Sequence, residues 1–516
     1  MAETSEGICP PNRKRKSYGP KVRTGCITCK QRCLKWGGRC DGYEIDAPRT
    51  KPVTTVAKRI LPKLPNVKPL CRSPDTSLFS NDLEYQAFQE YSHHTARHLT
   101  GFRETEIWGH VVLQASETDP ALRHAVTAIG ALNLQDSVEN SNDKARLEFA
   151  YREYDMAIVG LRKATTEGRA DIRTKLIACI VFSCLEAYLG NNEMASGQAY
   201  QAIELMEQYT KYRLQGQAQT RPPPLDTEIV EMLMLFEIQF PTYYDGRGEE
   251  KYRERRQRFG ITVDHIPKEF TNLKQASSML SRIMLWGIYV RFTRDGDNFA
   301  PPLIFNEKLP PVLGLRHSTT DYIALAKALN KYKEWEVAFE PLRTKARRVP
   351  GTKLFNGVAL LQLHCQACYL WMATGAPDRS MYYRKYTKQL RETVALAKIV
   401  NAQQVEGSFS LDFRTVLPLM VVSFMYRHIG VRRDIIQLFL DSPRREGLWD
   451  SVLLARIMKW RASIEEEGLD EDEEYVPEDR IADIVLVEQN AATKCAYVVC
   501  RQGGEGGASH EITLYF

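Results

Sequence analysis

The stretch Leu176-Ile177-Ala178-Cys179-Ile180-Val181-Phe182-Ser183-Cys184-Leu185-Glu186-Ala187-Tyr188-Leu189 is apolar on nearly every side of a helical wheel. A helix of that kind has no water-facing stripe, so it predicts a central, well-buried position in a helical core. Gly190-Asn191-Asn192 then breaks the pattern, and a second helix answers across the break, so the pair reads as a helical hairpin.

Outward from this hairpin the same period recurs. Leu147, Ala150, Tyr151, Tyr154, Ile158 and Leu161 fall on one helix face, with Arg146, Glu148, Arg152, Glu153, Arg162 and Lys163 elsewhere on the wheel. Asp119-Pro120 supplies a cap followed by proline at the first helical position, and Leu122, Ala125, Val126, Ile129 and Leu132 behind it predict a helix over 120–133. Comparable patterns predict helices near 226–244, 272–293, 320–345, 353–374, 379–402, 412–440 and 449–466, without a fixed repeat period. Residues 484–487, 495–500 and 512–516 are short β-prone runs separated by Asn- or Gly-rich segments. The predicted fold is mainly α: a large all-α helical body over 82–516 with a minor terminal β element.

A chain of 516 residues exceeds one hydrophobic core, since cores stop growing near ~250–300 residues. Hydrophobic content of 43% and charged content of 26% argue against a membrane protein, a fibre or a wholly disordered chain. The uncharged stretch 354–377 is interrupted by Asn356, Gln362, His364 and Gln366 and by Gly357, Gly375 and Pro377, which predicts a buried helix and not a membrane span. The N-terminus has no apolar run with a cleavage site, so secretion is not expected. The 12 cysteines are then expected to be reduced, and grouped ones suggest metal ligands before disulfides.

Charge is concentrated at one end. Residues 13–39 hold Arg13, Lys14, Arg15, Lys16, Lys21, Arg23, Lys30, Arg32, Lys35 and Arg39 and no Asp or Glu, against a net charge of only +6 for the whole chain. A basic head therefore precedes a mildly acidic body, and polyanion binding is assigned to the head. Residues 1–20 offer almost no large apolar side chains to bury and read as a disordered basic arm. Within it Arg13-Lys14-Arg15-Lys16 is a nuclear-import candidate or a phosphate-contacting tail, with a merely solvated segment as the bland reading. Residues 44–81 carry Pro48, Pro52, Pro62, Pro65, Pro69 and Pro74, which suppress helix and sheet and mark a proline-rich linker. No heptad pattern is present there, so any dimer would form without a visible coiled coil.

Between arm and linker lie Cys26, Cys29, Cys33 and Cys40. The two-residue spacing of Cys26 and Cys29 lets two thiolates grip one tetrahedral zinc ion from a tight backbone knuckle. Cys33 and Cys40 follow in the same polar segment, where burial does not explain them, so a metal site is expected.

Lys21-Val22-Arg23-Thr24-Gly25-Cys26-Ile27-Thr28-Cys29-Lys30 resembles the opening of the fungal binuclear zinc-cluster transcription factors, and Gln31-Arg32-Cys33-Leu34-Lys35-Trp36-Gly37-Gly38-Arg39-Cys40-Asp41-Gly42-Tyr43 resembles the closing half. In that family six cysteines share two zinc ions. The resemblance implies that Cys26 and Cys29 stand for the first and second ligands, and Cys33 and Cys40 for the fifth and sixth. The third and fourth are absent between Lys30 and Cys33. Either four thiolates hold a single zinc ion, or coding sequence is missing at this point; the undrifted match on both flanks favours the second.

The resemblance also implies DNA reading, by a short helix whose basic residues contact a CGG-type triplet in the major groove through guanine O6 and N7. Lys30 and Arg32 are the only matching reading positions retained, and Lys21, Arg23, Lys35 and Arg39 complete the candidate DNA-binding set. Further on, Phe102, Val111-Val112-Leu113-Gln114-Ala115, Asp119-Pro120-Ala121-Leu122-Arg123-His124-Ala125-Val126 and Ser442-Pro443-Arg444-Arg445-Glu446-Gly447-Leu448-Trp449-Asp450 resemble the fungal-specific regulatory domain attached to such clusters. That domain is helical and regulatory. The implied protein is a nuclear, zinc-dependent, sequence-specific regulator of RNA polymerase II genes, such as a pathway-specific regulator of a metabolic gene cluster. Its implied partners are double-stranded DNA and the transcription machinery, with no membrane. The resulting division is 1–20 arm, 21–43 incomplete zinc-cluster module, 44–81 linker and 82–516 regulatory domain. The rival reading is a helical interaction or ligand-sensing protein that has lost DNA recognition.

Other constellations carry less. Glu90, His94 and His98 share a helix face, with His93 beside them, but lack a zinc-protease pairing. Cys365 and Cys368 lie in an apolar helix and, like Cys179, Cys184, Cys495 and Cys500, are read as small hydrophobes in the core. Glu465-Glu466-Glu467 and Asp470-Glu471-Asp472-Glu473-Glu474 read as a solvated helix end and loop before an acidic activation segment. Lys251, Arg253, Arg255, Arg256 and Arg258, interleaved with Glu249, Glu250 and Glu254, read as a salt-bridged helix face. No P-loop, dinucleotide fingerprint or nucleophile elbow occurs, so enzyme function has no support.

Tetrahedral closure of one ion consumes four sulfurs, and a second ion needs bridging ligands. Metal analysis of the purified, zinc-loaded protein is therefore expected to find at most about one zinc ion per chain. A stoichiometry of two would contradict this ligand set.

Overall fold

The structure, a computed structural model, describes residues 78–100, 105–134, 143–215, 224–243, 263, 265–292, 319–373, 385–402, 409–470, 472–490, 493–503 and 506–516. The chain divides into two units, Met1–Arg72 and Ser73–Phe516, and the described residues all belong to the second.

Its first half is built around α4 (Pro120–Asn133), which packs against α1 (Asp82–Glu90), α3 (Val112–Thr118), α5 (Asp143–Thr166) and α6 (Ile172–Leu189). A π-helical turn, Tyr91–Thr95, joins α1 to α2 (Ala96–Thr100), and a second, Ile107–Val111, leads into α3. Asp119 opens α4 as its local sequence requires, its carboxylate accepting from the N–H groups of Ala121 at 2.8 Å and Leu122 at 3.2 Å. The all-round apolar stretch is α6, buried continuously from Leu176 to Ala187. Gly190 ends it in the left-handed conformation at φ 87°, which lets the chain reverse into α7 (Asn192–Gln215).

On α5 the buried face is rotated from the predicted one. Leu147 and Tyr151 are exposed, whereas Ala150, Glu153, Tyr154 and Ala157 are buried. Small side chains allow α5 to approach α4 closely, and Glu153 is matched there by His124, whose Nδ1 lies 2.8 Å from its carboxylate.

The second half continues through α8 (Thr227–Gln239) with its 3-10 extension Phe240–Thr242, then α9 (Leu273–Phe292), α10 (Thr319–Arg347), α11 (Lys353–Ala373) and α12 (Thr387–Asn401). Consecutive members of the series α9 to α12 pack on one another, and α8 bridges α7 to α9. A single buried cluster runs through both halves, from Phe88 to Val498. No helix among the described residues is long and apolar enough to cross a membrane.

The helix predicted over 412–440 is two helices, α13 (Val416–Met425) and α14 (Ile429–Asp441). Between them the backbone is extended because it pairs with another segment: Val476 N–H donates to the Arg427 carbonyl at 3.0 Å, and Ile429 N–H to the Glu474 carbonyl at 2.8 Å. The last helix, α15 (Ser451–Glu465), precedes an antiparallel meander of β4 (Ala482–Asn490), β5 (Cys495–Gln502) and β6 (Ala508–Tyr515), longer than the three predicted runs. Ala496, Val498 and Cys500 alternate along β5 on the buried face. A small mixed sheet of β1 (Phe409–Ser410), β2 (Arg445–Glu446) and β3 (Trp449–Asp450) was not foreseen.

That small sheet organises the helices around it. The Glu446 carboxylate accepts from the N–H groups of Arg414 at 2.7 Å and of Thr415 and Val416 at 2.8 Å, satisfying the start of α13. Arg445 donates to the carbonyls of Tyr188 at 3.0 Å and Ala187 at 2.7 Å, at the end of α6. Asp450 caps α15 by accepting from Val452 and Leu453.

A buried ionic centre joins α14 and α15. The Glu465 carboxylate, fully buried, is held by Arg432, lies 3.4 Å from Arg427 Nε and 3.8 Å from Arg461 Nε, and accepts from Ala482 N–H at 2.9 Å. The reading of Glu465 as part of a solvated helix end is thereby corrected. Burial pushes its carboxyl upward, but the guanidiniums of Arg427, Arg461 and Arg432 override this and hold it below the usual range.

Glu446→Ala leaves backbone donors at α13 without an acceptor, and is expected to lower unfolding stability by about 3 kcal/mol in denaturant titration. Glu465→Gln leaves buried guanidiniums uncompensated, at an expected cost of about 3–5 kcal/mol. Because the folded carboxyl of Glu465 titrates below the unfolded value of ~4.3, its contribution is present above that value and lost as pH falls through the folded one. Stability measured from neutral pH into acid should therefore fall more steeply for the natural protein than for Glu465→Gln; parallel curves would refute the assignment.

Candidate functional site

The residues assigned by sequence to metal and DNA, Cys26, Cys29, Cys33, Cys40, Lys21, Arg23, Lys30, Arg32, Lys35 and Arg39, lie outside the described residues, as do Arg13, Lys14, Arg15 and Lys16. The basic run 249–258 and Phe102 lie outside them too. Glu90 and His94 do meet, with Nδ1 2.9 Å from the carboxylate, but His93 Nδ1 turns to the Gln89 carbonyl at 2.9 Å. No group of three metal-ligating side chains comes together among the described residues.

What the second unit does build is an apolar cavity of about 690 Å³, counting its opening to solvent. One wall is Ile238, Pro241 and Thr242 at the end of α8; another is Met284 and Ile288 of α9 with Tyr332 of α10. Helix α11 contributes His364, Ala367, Cys368 and Trp371, and the segment entering α13 closes the space with Phe413, Leu417, Pro418, Met420 and Val421. The Glu446 contact fixes the start of α13 and with it this last wall.

Polar atoms in the wall are mostly committed to the protein. His364 Nε2 donates to the Arg414 carbonyl at 2.8 Å, and its ring lies 4.7 Å from that of Phe413. Thr242 donates to the Gln239 carbonyl and accepts from Trp449 Nε1 at 3.1 Å. Tyr332 differs: it is buried, and its hydroxyl has no hydrogen-bond partner among the described residues. Burial pushes this phenol well above its ordinary range, so it is a neutral donor. Burial likewise raises the neighbouring Cys365 thiol and keeps it protonated. The arrangement can bind and orient a ligand.

Sequence reading placed Cys365 and Cys368 together in the core. Cys365 is buried, 1% exposed, whereas Cys368 is half-buried and forms part of the cavity wall. Tyr332 carried no sequence signal, because a tyrosine on an amphipathic helix does not reveal whether its hydroxyl finds a partner.

Residues 86–212, which run from α1 to α7, match the family described as fungal specific transcription factor domain. Over 234 residues the chain is 27% identical to the aspercryptin biosynthesis cluster-specific transcription regulator atnN of Emericella nidulans, covering 40% of this chain and 37% of that protein. Over 202 residues it is 26% identical to the transcription regulator lscL of Purpureocillium lilacinum, covering 35% of this chain and 45% of that protein. The chain thus spans less than half the length of these curated relatives. No solved structure matches. The matched domain and both relatives are those of transcription regulators, not enzymes.

Proposed function

We propose that the protein is a nuclear transcription regulator that binds DNA through residues 21–43 and is regulated through its helical body, with a biosynthetic gene cluster as the class of target. The observation that carries this is the similarity of residues 86–212 to a transcription factor domain in a chain that also bears the Cys26, Cys29, Cys33, Cys40 group inside a wholly basic head. Zinc held by those thiolates would order the head, and Lys30 and Arg32 would face bases while Lys21, Arg23, Lys35 and Arg39 neutralise phosphates. The linker 44–81 would separate this module from the body.

The rival reading, a helical interaction or ligand-sensing protein without sequence-specific DNA recognition, is supported by the absence of two cluster cysteines between Lys30 and Cys33 and by the cavity in the body. The two readings part in one experiment. Zinc-loaded full-length protein is titrated with CGG-containing and random duplexes over a range of salt. DNA reading predicts a preference for CGG sites that Lys30→Ala reduces by about 1–3 kcal/mol, whereas replacing Arg13, Lys14, Arg15 and Lys16 by Ala weakens both duplexes alike and flattens the salt dependence. Equal binding of both duplexes by the unaltered protein would leave the rival.

A further inference from the structure

Tyr332 stands near the middle of α10 with only 1% of its surface exposed, and its hydroxyl lacks a partner among the described residues. A phenylalanine would fill the same space without desolvating a hydroxyl, so packing alone does not account for the oxygen. The hydroxyl lies against Gly287 of α9, where a Cβ would come within 3.2 Å of the oxygen and 3.3 Å of Met372 Sδ. A side chain at this position would crowd that oxygen. The same stretch of α9 gives Met284 and Ile288 to the cavity wall, so the unpaired donor belongs to the cavity surface.

We propose that this cavity binds a small, neutral, largely apolar molecule bearing an acceptor oxygen, such as a ketone, and that Tyr332 donates the hydrogen bond that orients it. Each term follows from the wall. Among the described residues no Lys, Arg, Asp or Glu lines the cavity, so a charged ligand would be desolvated without compensation. Apart from Thr242 and His364, which bond within the protein, the remaining lining is aliphatic, aromatic and sulfur-bearing, which suits a hydrocarbon or aromatic body. A phenol kept protonated by burial can donate its hydrogen to an acceptor opposite it. The proposal concerns the second unit alone and stands whether or not the head reads DNA.

The full-length protein is titrated with prodan, a neutral naphthalene ketone whose emission responds both to an apolar surround and to hydrogen bonding at its carbonyl. Saturable binding is expected. Tyr332→Phe, which removes only the oxygen, is expected to fold, to melt no lower than the natural protein, and to bind prodan about fivefold to tenfold more weakly, with the emission component from the hydrogen-bonded carbonyl lost. Ala367→Leu, which pushes a larger side chain into the space, is expected to abolish binding. An anionic naphthalene sulfonate is expected to bind at least about tenfold more weakly than prodan. The proposal is overturned by no saturable prodan binding, by unchanged affinity in Tyr332→Phe, or by equal affinity for the sulfonate.

Discussion

The Glu446 carboxylate at the start of α13 is the contact on which the arrangement of the second half depends. Helix N-termini present unpaired N–H groups and a positive end of the dipole, and a buried anion is a natural complement. Here burial pushes the carboxyl above its ordinary range, while the Arg444 guanidinium, the N–H groups of Val416 and Arg414, and the Arg414 guanidinium act in the opposite direction. The anion is expensive to bury and is therefore surrounded. Its neighbours extend the same device: Arg445 closes the end of α6 across about 257 residues of chain, and Arg444 reaches the Asn401 side chain at 2.8 Å where α12 ends. The segment 442–450, met in the sequence only as text resembling a regulatory domain, thus ties α6, α12, α13 and α15 together.

How much of this was legible depended on whether the cause was local. Asp119-Pro120 announced α4 because cap and proline act within one turn, and 176–189 announced a buried helix because its apolar residues need no partner to be identified. Glu465 was misread for the opposite reason. It sits in an acidic run that looks solvated, and its countercharges Arg427 and Arg432 come from a segment more than 30 residues away. The break between α13 and α14 was hidden likewise: residues 412–440 keep a helical apolar pattern, and only pairing with 474–476 pulls Arg427 and His428 into an extended path. Periodicity reports which side chains are buried, not which backbone groups find partners elsewhere.

The cavity was illegible for a third reason. Its walls come from α8, α9, α10, α11 and α13, each of which reads as an ordinary core helix. A void is a property of how five faces fail to meet, and no one face records it. Around Glu465 and Glu446, by contrast, each carboxylate meets guanidiniums or backbone donors. The polar content of the body thus includes these ionic ties and, in the cavity wall, a Tyr332 hydroxyl without a hydrogen-bond partner among the described residues.

That division bears on how occupancy would be felt. The start of α13 is pinned by Glu446, and its Leu417, Met420 and Val421 face the cavity that α9 to α11 enclose from the other sides. A ligand filling the space would touch all these helices at once and supply the acceptor that Tyr332 lacks. Binding to the folded state alone stabilises it in proportion to the logarithm of ligand concentration, and the helices that gain contacts share that stabilisation. If the proposed ligand binds, the unit whose residues 86–212 match a transcription factor domain gains, in its second half, a place where a small apolar molecule changes the stability of the helices around it.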